Sequence, residues 1–339
     1  RGMSNAATAL LPTPPAVPGL WFRTFRDETD LPAIVALMRA ADAANGETMV
    51  ASIDRVRNHY RNMTRIDPRE DVVLCFVGDR LVANSVIEWA DTSYGERHFN
   101  SMGAVHPDWR GHGIGTVMMA RNEVRLRAVA AGLTFDQQPL LTTWFQDGDS
   151  GAAALARARG YARVREFHHM VRPTMAAIAT PPLPDGLEIR PLTRELLPRY
   201  WAAMCESFRD HFGSWDASES AYRSWIESPN FDLELQVVAF DGDEIAAGIH
   251  GAIDPIENRE HAYQRGWVEP IFTRRPWRRR GLASALIGRT LALLRERGMT
   301  SAQLHVDAEN ANQALGLYAR HGFEVESSSS EWHKPLENT

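Results

Sequence analysis

Five arginines within seven residues, Arg274, Arg275, Arg278, Arg279 and Arg280, run into Gly281-Leu282-Ala283 and a helical stretch. A glycine lets the backbone come close to an anion, and the helix that follows offers unpaired N–H groups and its positive dipole end. That is a phosphate-binding device, and guanidinium groups beside it suit a polyphosphate. A solvated basic turn capping a helix has the same composition, so the assignment rests on context. The strand feeding the loop, Trp267-Val-Glu-Pro-Ile-Phe-Thr273, carries one carboxylate, Glu269, among apolar residues. Burial raises the pKa of such a group toward the range of a general base; pairing with one of the arginines is the alternative. Pro270 cannot donate to a sheet ladder, which predicts a bulge or a strand break there.

A second stretch repeats the first. Val105-His-Pro-Asp-Trp-Arg-Gly-His-Gly-Ile-Gly115 aligns with Thr273-Arg-Arg-Pro-Trp-Arg-Arg-Arg-Gly-Leu-Ala283, Trp109 falling on Trp277 half a chain away. Gly19 to Arg23 matches Gly186 to Arg190, Gly160-Tyr161 matches Gly322-Phe323, and Arg172-Pro173 matches Lys334-Pro335. A near-constant offset across these landmarks marks a duplication. The Pro-rich stretch from Thr180 to Gly186 reads as a linker, which places domains at 18–175 and 185–337. Asp241-Gly242-Asp243 is a hairpin turn, and helices are expected over Gly111 to Ala131 and Arg279 to Arg297. The order of elements predicts an α/β chain of two tandem domains. Each is a mixed, largely antiparallel sheet flanked by helices, with a crossover about the central helix.

The chain has 339 residues, 44% of them hydrophobic, and a net charge of −6. Such an acidic balance argues against nucleic acid or a membrane surface as partner. Two cysteines, Cys75 and Cys205, form no CxxC or metal-ligand spacing, so no metal is expected and the thiols read as reduced and cytoplasmic. No apolar run reaches membrane-spanning length and no signal peptide is evident. A monomer or a homodimer is expected.

The Arg-x-x-Gly-x-Ala loop is followed by a strand and by Asn310-x-x-x-Ala314-x-x-x-Tyr318-x-x-x-Gly322-Phe323. The combination resembles the GNAT acetyltransferase superfamily, once per half of the chain, and a tandem of two such domains is similar to the mycothiol synthase family and related bacterial tandem acetyltransferases. The resemblance implies acetyl-CoA as cofactor. Its pyrophosphate would lie on Arg278, Arg279, Arg280, Gly281, Leu282, Ala283 and Ser284, with Asn310 nearby and Ile271, Phe272 and Thr273 along the pantetheine. Tyr318 would be the general acid that protonates the departing thiolate. The family's catalytic glutamate falls at Trp267; Glu269, two residues on and on the same strand face, is the candidate base.

In the first half, Gly103, Ala104 and Val105 and the loop Arg110, Gly111, His112, Gly113, Ile114, Gly115 and Thr116 match the same cofactor pattern. Ala156 stands where Tyr318 stands, and no carboxylate matches Glu269. A retained cofactor cradle without catalysis is the expectation for that half. Arg209 and His211, charged residues beside a glycine turn, join Trp267 as substrate candidates. The aromatic residues crowding the same two helices read mostly as core. The expected reaction is acetyl transfer to a primary amine of a small molecule. A non-catalytic acyl-CoA sensor and a peptide N-terminal acetyltransferase are the alternatives.

Overall fold

The computed structural model describes residues 14–213, 216–309 and 314–337. The chain divides into two compact units. The first runs to Arg165 and regains Ser329 onward, and the second is Glu166–Ser328.

The first unit contains β1 (Leu20–Thr24), α1 (Leu31–Asn45), α2 (Ile53–Asn62), the short α3 (Pro68–Asp71), β2 (Val72–Val77), β3 (Arg80–Asp91), β4 (Glu96–Val105), α4 (Ile114–Ala131), β5 (Gln138–Gln146) and α5 (Ser150–Ala158). The chain crosses to the second unit within β6 (Ala162–Arg172). The second unit continues through β7 (Leu187–Pro191), α6 (Leu197–Phe208), α7 (Glu219–Ile226), β8 (Phe231–Asp241), β9 (Glu244–Ile253), α8 (Pro255–Glu260), β10 (Arg265–Thr273), α9 (Leu282–Glu296), β11 (Ser301–Asp307) and α10 (Ala314–Arg320). The last strand, β12 (Glu324–Pro335), returns the chain to the first unit.

Each unit has a six-stranded sheet of the same plan. In the first the order is β1-β2-β3-β4-β5-β12, and in the second β7-β8-β9-β10-β11-β6. Among the described residues the pairings within each unit are antiparallel except one, β4 with β5 and β10 with β11. A parallel pair needs a crossover, and α4 and α9 supply it. The sheets are therefore mixed and largely antiparallel, as the repeat predicts.

Helix α9 buries Leu282, Leu286, Leu291 and Leu294 against Val237, Ile249, Val268 and Leu304. Each such side chain contributes about 1.5–3 kcal/mol by burial. The opposite face of this sheet is covered by α6 and α7, where Tyr200 stacks on Trp225 at 5.6 Å and meets Phe272 edge-on at 5.1 Å. Most of the aromatics on these helices are thus core. Helices α4 and α9 both start three residues later than expected. Gly113 (φ 79°) and Gly281 (φ 82°) take the left-handed conformation as N-caps. Arg279 is left-handed as well, at φ 60°. The residues before each helix are therefore loop, with their N–H groups turned out of the helical ladder.

Candidate active site

Parallel pairing between β10 and β11 covers Arg265–Trp267 against Ser301–Gln303 and ends there. Both strands continue, β10 to Thr273 and β11 to Asp307. On its other side β10 pairs with β9, and its register slips by one residue between Val268 and Ile271. That is the bulge Pro270 predicts, and the extra residue turns Glu269 into the gap between the parted strands. Its carboxylate accepts hydrogen bonds from the His305 backbone N–H and from His305 Nδ1, the latter at 3.0 Å. A side chain thus satisfies the β11 donor that the lost ladder would have satisfied. Both side chains are 28% exposed.

Burial works to raise the Glu269 carboxyl, but His305, through its charge and both hydrogen bonds, brings it below the ordinary glutamate value. The expectation that burial would lift this group toward neutrality is therefore overturned. The reason is the bidentate contact with His305, which favours the carboxylate. Glu269 pairs with this histidine and not with one of the loop arginines.

Around the pair stands a ring of aromatic and polar groups. Trp267 is buried, its ring 5.1 Å from that of His305 and 5.9 Å from that of His169. Its indole N–H donates to Glu257, which also accepts from Tyr263 Oη at 2.7 Å and from Gln303. His169 comes from β6, opposite His305 in register. Its Nε2 donates to Gln303 at 3.1 Å, and burial followed by the neighbouring His305 lowers its pKa. His250 stands on β9 between the partners of Val268 and Ile271. Burial lowers its pKa to about 4 against a small opposing effect of Glu269.

Tyr318, buried on α10, also lies within electrostatic reach of Glu269. Burial first, and then that carboxylate, push its hydroxyl up, so it stays protonated. Gly322, four residues on, has φ 78°, and a Cβ there would meet Arg172 Nη1 at 2.5 Å. This explains the Gly-Phe pair that follows the tyrosine. Arg172 donates to the His321 carbonyl and, at 2.6 Å, to that of Ala176.

The loop arginines divide into two groups. Arg274 pairs with Glu206 at 2.9 Å and Glu244 at 3.0 Å. Arg275 and Arg278 share Asp210. Arg278 Nε also holds the Thr273 carbonyl at 2.9 Å. Much of the positive charge that the sequence offers to a polyphosphate is engaged by the protein's own carboxylates. Arg279 and Arg280 are exposed, and Arg280 donates to the Asp185 carbonyl at 3.4 Å. The space where a Gly281 Cβ would stand is open to 4 Å. Two exposed guanidiniums, an uncovered glycine and a helix N-terminus fit a pyrophosphate. Ser284 is half-buried and shares a 2.7 Å hydrogen bond with His321 Nε2.

In the first unit Arg110 Nε holds the Val105 carbonyl, as Arg278 holds that of Thr273. There Pro15 Cβ lies 3.4 Å from the place of a Gly113 Cβ. Ser101, as far before Gly113 as Glu269 is before Gly281, is buried and accepts from Asn122 at 3.0 Å. Ala156 is buried in core.

The acetyltransferase (GNAT) family profile matches residues 201–323. A mycothiol acetyltransferase of Salinispora arenicola is 32% identical over 224 residues, covering 65% of this chain and 68% of the relative. One of Streptomyces scabiei is 30% identical over 295 residues, 86% and 87% of the two chains. The chain belongs to the GNAT acetyltransferase superfamily. It is an acetyl-CoA-dependent acyltransferase homologous to these tandem-domain enzymes. Among solved structures, a GCN5-related N-acetyltransferase from Sphaerobacter thermophilus superposes with a TM-score of 0.71 at 26% identity, over 94% of this chain and 96% of that one. A tandem GNAT protein of the clavulanic acid pathway shares the fold at 16% identity and a TM-score of 0.69, over 94% and 99% of the two chains.

Within this GNAT frame, the structure brings Glu269, Trp267 and Tyr318 together and adds His305, His169 and His250. These three histidines come from three different strands, so no sequence spacing links them to Glu269. Of the pantetheine candidates, Ile271 and Thr273 are half-buried, whereas Phe272 turns its ring into the core beside Tyr200. His211 packs tilted against Phe208, ring centroids 4.5 Å apart, and Arg209 is the C-cap of α6. Asn310 lies outside the described residues. No described helix is long and apolar enough to cross a membrane.

Proposed function

We propose that the second unit transfers the acetyl group of acetyl-CoA to a primary amine of a small molecule, with the Glu269–His305 pair as proton acceptor and Tyr318 as proton donor. The observation that carries this reading is the carboxylate–imidazole pair at the mouth of the parted strands with a protonated tyrosine in reach. The carboxylate accepts a hydrogen bond from His305 Nδ1–H, so Nε2 is the ring nitrogen that would take up the amine's proton. An amine with a lysine-like pKa of about 10.4 is mostly protonated at neutral pH, so it must lose a proton before its lone pair attacks the thioester carbonyl. As the C–S bond breaks, Tyr318 supplies a proton to the thiolate. Arg279, Arg280 and the N–H groups opening α9 would hold the pyrophosphate, and the edge of β10 that parts from β11 beyond Trp267 would take the pantetheine.

Pro15 over Gly113, and Ala156 and Ser101 in place of the tyrosine and glutamate, support a first unit that neither binds acetyl-CoA nor catalyses. The relatives' names make the amine precursor of mycothiol the first acceptor to try, although Trp267 stands where the GNAT resemblance places a catalytic glutamate. The test is thiol release from acetyl-CoA across a panel holding that precursor, aminoglycosides, polyamines and peptide N-termini. Turnover with a small amine supports the reading. Turnover with peptides alone, or tight acetyl-CoA binding with no release across the panel, would count against it.

A further inference from the structure

We propose that the first unit carries a binding site for a divalent transition metal of the zinc class, formed by Glu96 and His98 of β4 and His333 of β12, with Glu331 as the fourth group. Glu96, His98 and His333 each present a ligand atom, and the three lie within 4.8 Å of one another. Ligands about 2 Å from a shared tetrahedral ion stand about 3.3 Å apart, so rotamer-scale movement closes the shell. His98 and His333 already pack ring to ring, with centroids 4.7 Å apart. Glu331 Oε1 lies 2.8 Å from His333 Nε2 and 3.4 Å from His98 Nδ1.

The sheet explains why these four converge. Glu96 and His98 are two apart on β4, as Glu331 and His333 are on β12, so each pair shares a face. Strand β5 lies between, and its register sets His98 against Leu140 and Thr142 against His333. Leu140 and Thr142 are themselves two apart, so all four groups stand on one face.

Two further observations point to a cation. The His98 and His333 side chains are 5% and 10% exposed and the two carboxylates 26% and 16%, and among the described residues the ion pairs of Glu96 and Glu331 are with histidines. Two partly buried carboxylates in one cluster gather negative charge away from full solvation, which a divalent ion offsets. In the row of His333, across Thr142, stands Asn100, whose Oδ1 is buried without a hydrogen-bond partner. An orphaned carbonyl oxygen beside the cluster is the mark of a missing water or ion. Two nitrogens and two oxygens suit zinc, cobalt or nickel ahead of calcium or magnesium. Because β12 reaches the first unit from the far end of the chain, metal binding here would clip that strand to β4 and stabilise the unit.

The test uses the full chain after exhaustive chelation. Co²⁺ titration followed by d–d absorption, with Zn²⁺ competition, should show one ion per chain and a rise in melting temperature. The H98Q/H333Q double variant should lose affinity by more than the 10- to 100-fold that removal of an outer-shell partner costs, and E331Q should weaken binding to a lesser degree. Circular dichroism and thiol release, which depends on the second unit, check that each variant is folded. If the double variant fails to fold, the single variant H333Q carries the same comparison. The proposal is overturned if the wild-type chain binds no Co²⁺, or if the folded histidine variants bind it as tightly as wild type. The cluster is then a set of side chains that only hydrogen-bond to one another.

Discussion

Glu269 holds His305 at two points, the backbone N–H and Nδ1, across the gap where β10 and β11 stop pairing. The same contact therefore props the gap and fixes the imidazole tautomer. If proton removal passes through this pair, E269Q and H305Q should each lower kcat/KM by about 10²- to 10⁴-fold while acetyl-CoA affinity stays near wild type. The double variant should be little worse than either single one, because the two act as a unit. Steady-state thiol release with calorimetry of acetyl-CoA binding checks this, and undiminished turnover in H305Q would remove the imidazole from the reaction.

Tyr318 is the other half of the proton economy. Burial and the Glu269 charge both disfavour its ionised form, so it remains a donor throughout the assay range. Y318F keeps the ring against Phe323, 6.2 Å away, and removes only the hydroxyl. We expect kcat to fall by about 10²- to 10⁴-fold with unchanged melting temperature and cofactor affinity. A fall in stability with normal kcat would instead make Tyr318 a packing residue.

The two loop glycines provide an internal control. Gly113 and Gly281 have nearly the same φ, 79° and 82°, so G113A and G281A should each cost about 1–2 kcal/mol of backbone strain. Only G281A should raise the Kd for acetyl-CoA, since Gly281 is open and Gly113 faces Pro15. Calorimetry should give one acetyl-CoA per chain. A stoichiometry of two, or an equal loss of affinity in G113A, would return the first loop to cofactor binding.

The fold was legible because its signals lie along the chain itself: the glycine turns are read within one element, and the repeat offset follows from aligning the two halves. Pro270 likewise announced its own bulge. The site was less legible because its contacts are not local. Asp210 sits 65 and 68 residues from the arginines it engages, and no spacing rule links them. His169 reaches the second unit only through the antiparallel register of β6 with β11. The Glu96–His98 and Glu331–His333 pairs match no metal-ligand spacing in the sequence for the same reason. Each is a short alternation on a strand, and only the sheet order joins them.

His250 makes the acid stability of the second unit testable. Its Nδ1 donates to Gln236 Oε1 at 2.8 Å, and its ring lies beside Trp225 and Phe231. Burial holds its pKa near 4 against an ordinary 6.5. Between those values the unfolded chain binds a proton that the folded chain refuses, so stability must fall as pH drops from 6.5 toward 4. The loss is of the order of 2–3 kcal/mol over the full window. Glu269 acts elsewhere on the scale: its lowered pKa contributes stability that is present above 4.5 and lost only as pH falls through the folded value. H250Q removes the titrating ring while keeping a polar partner for Gln236, so its unfolding free energy should decline less between pH 6.5 and 4.5 than that of wild type. Urea unfolding at half-unit steps, followed by tryptophan fluorescence, reads the difference. Parallel slopes in the two proteins would show that His250 takes up its proton without cost in the folded state.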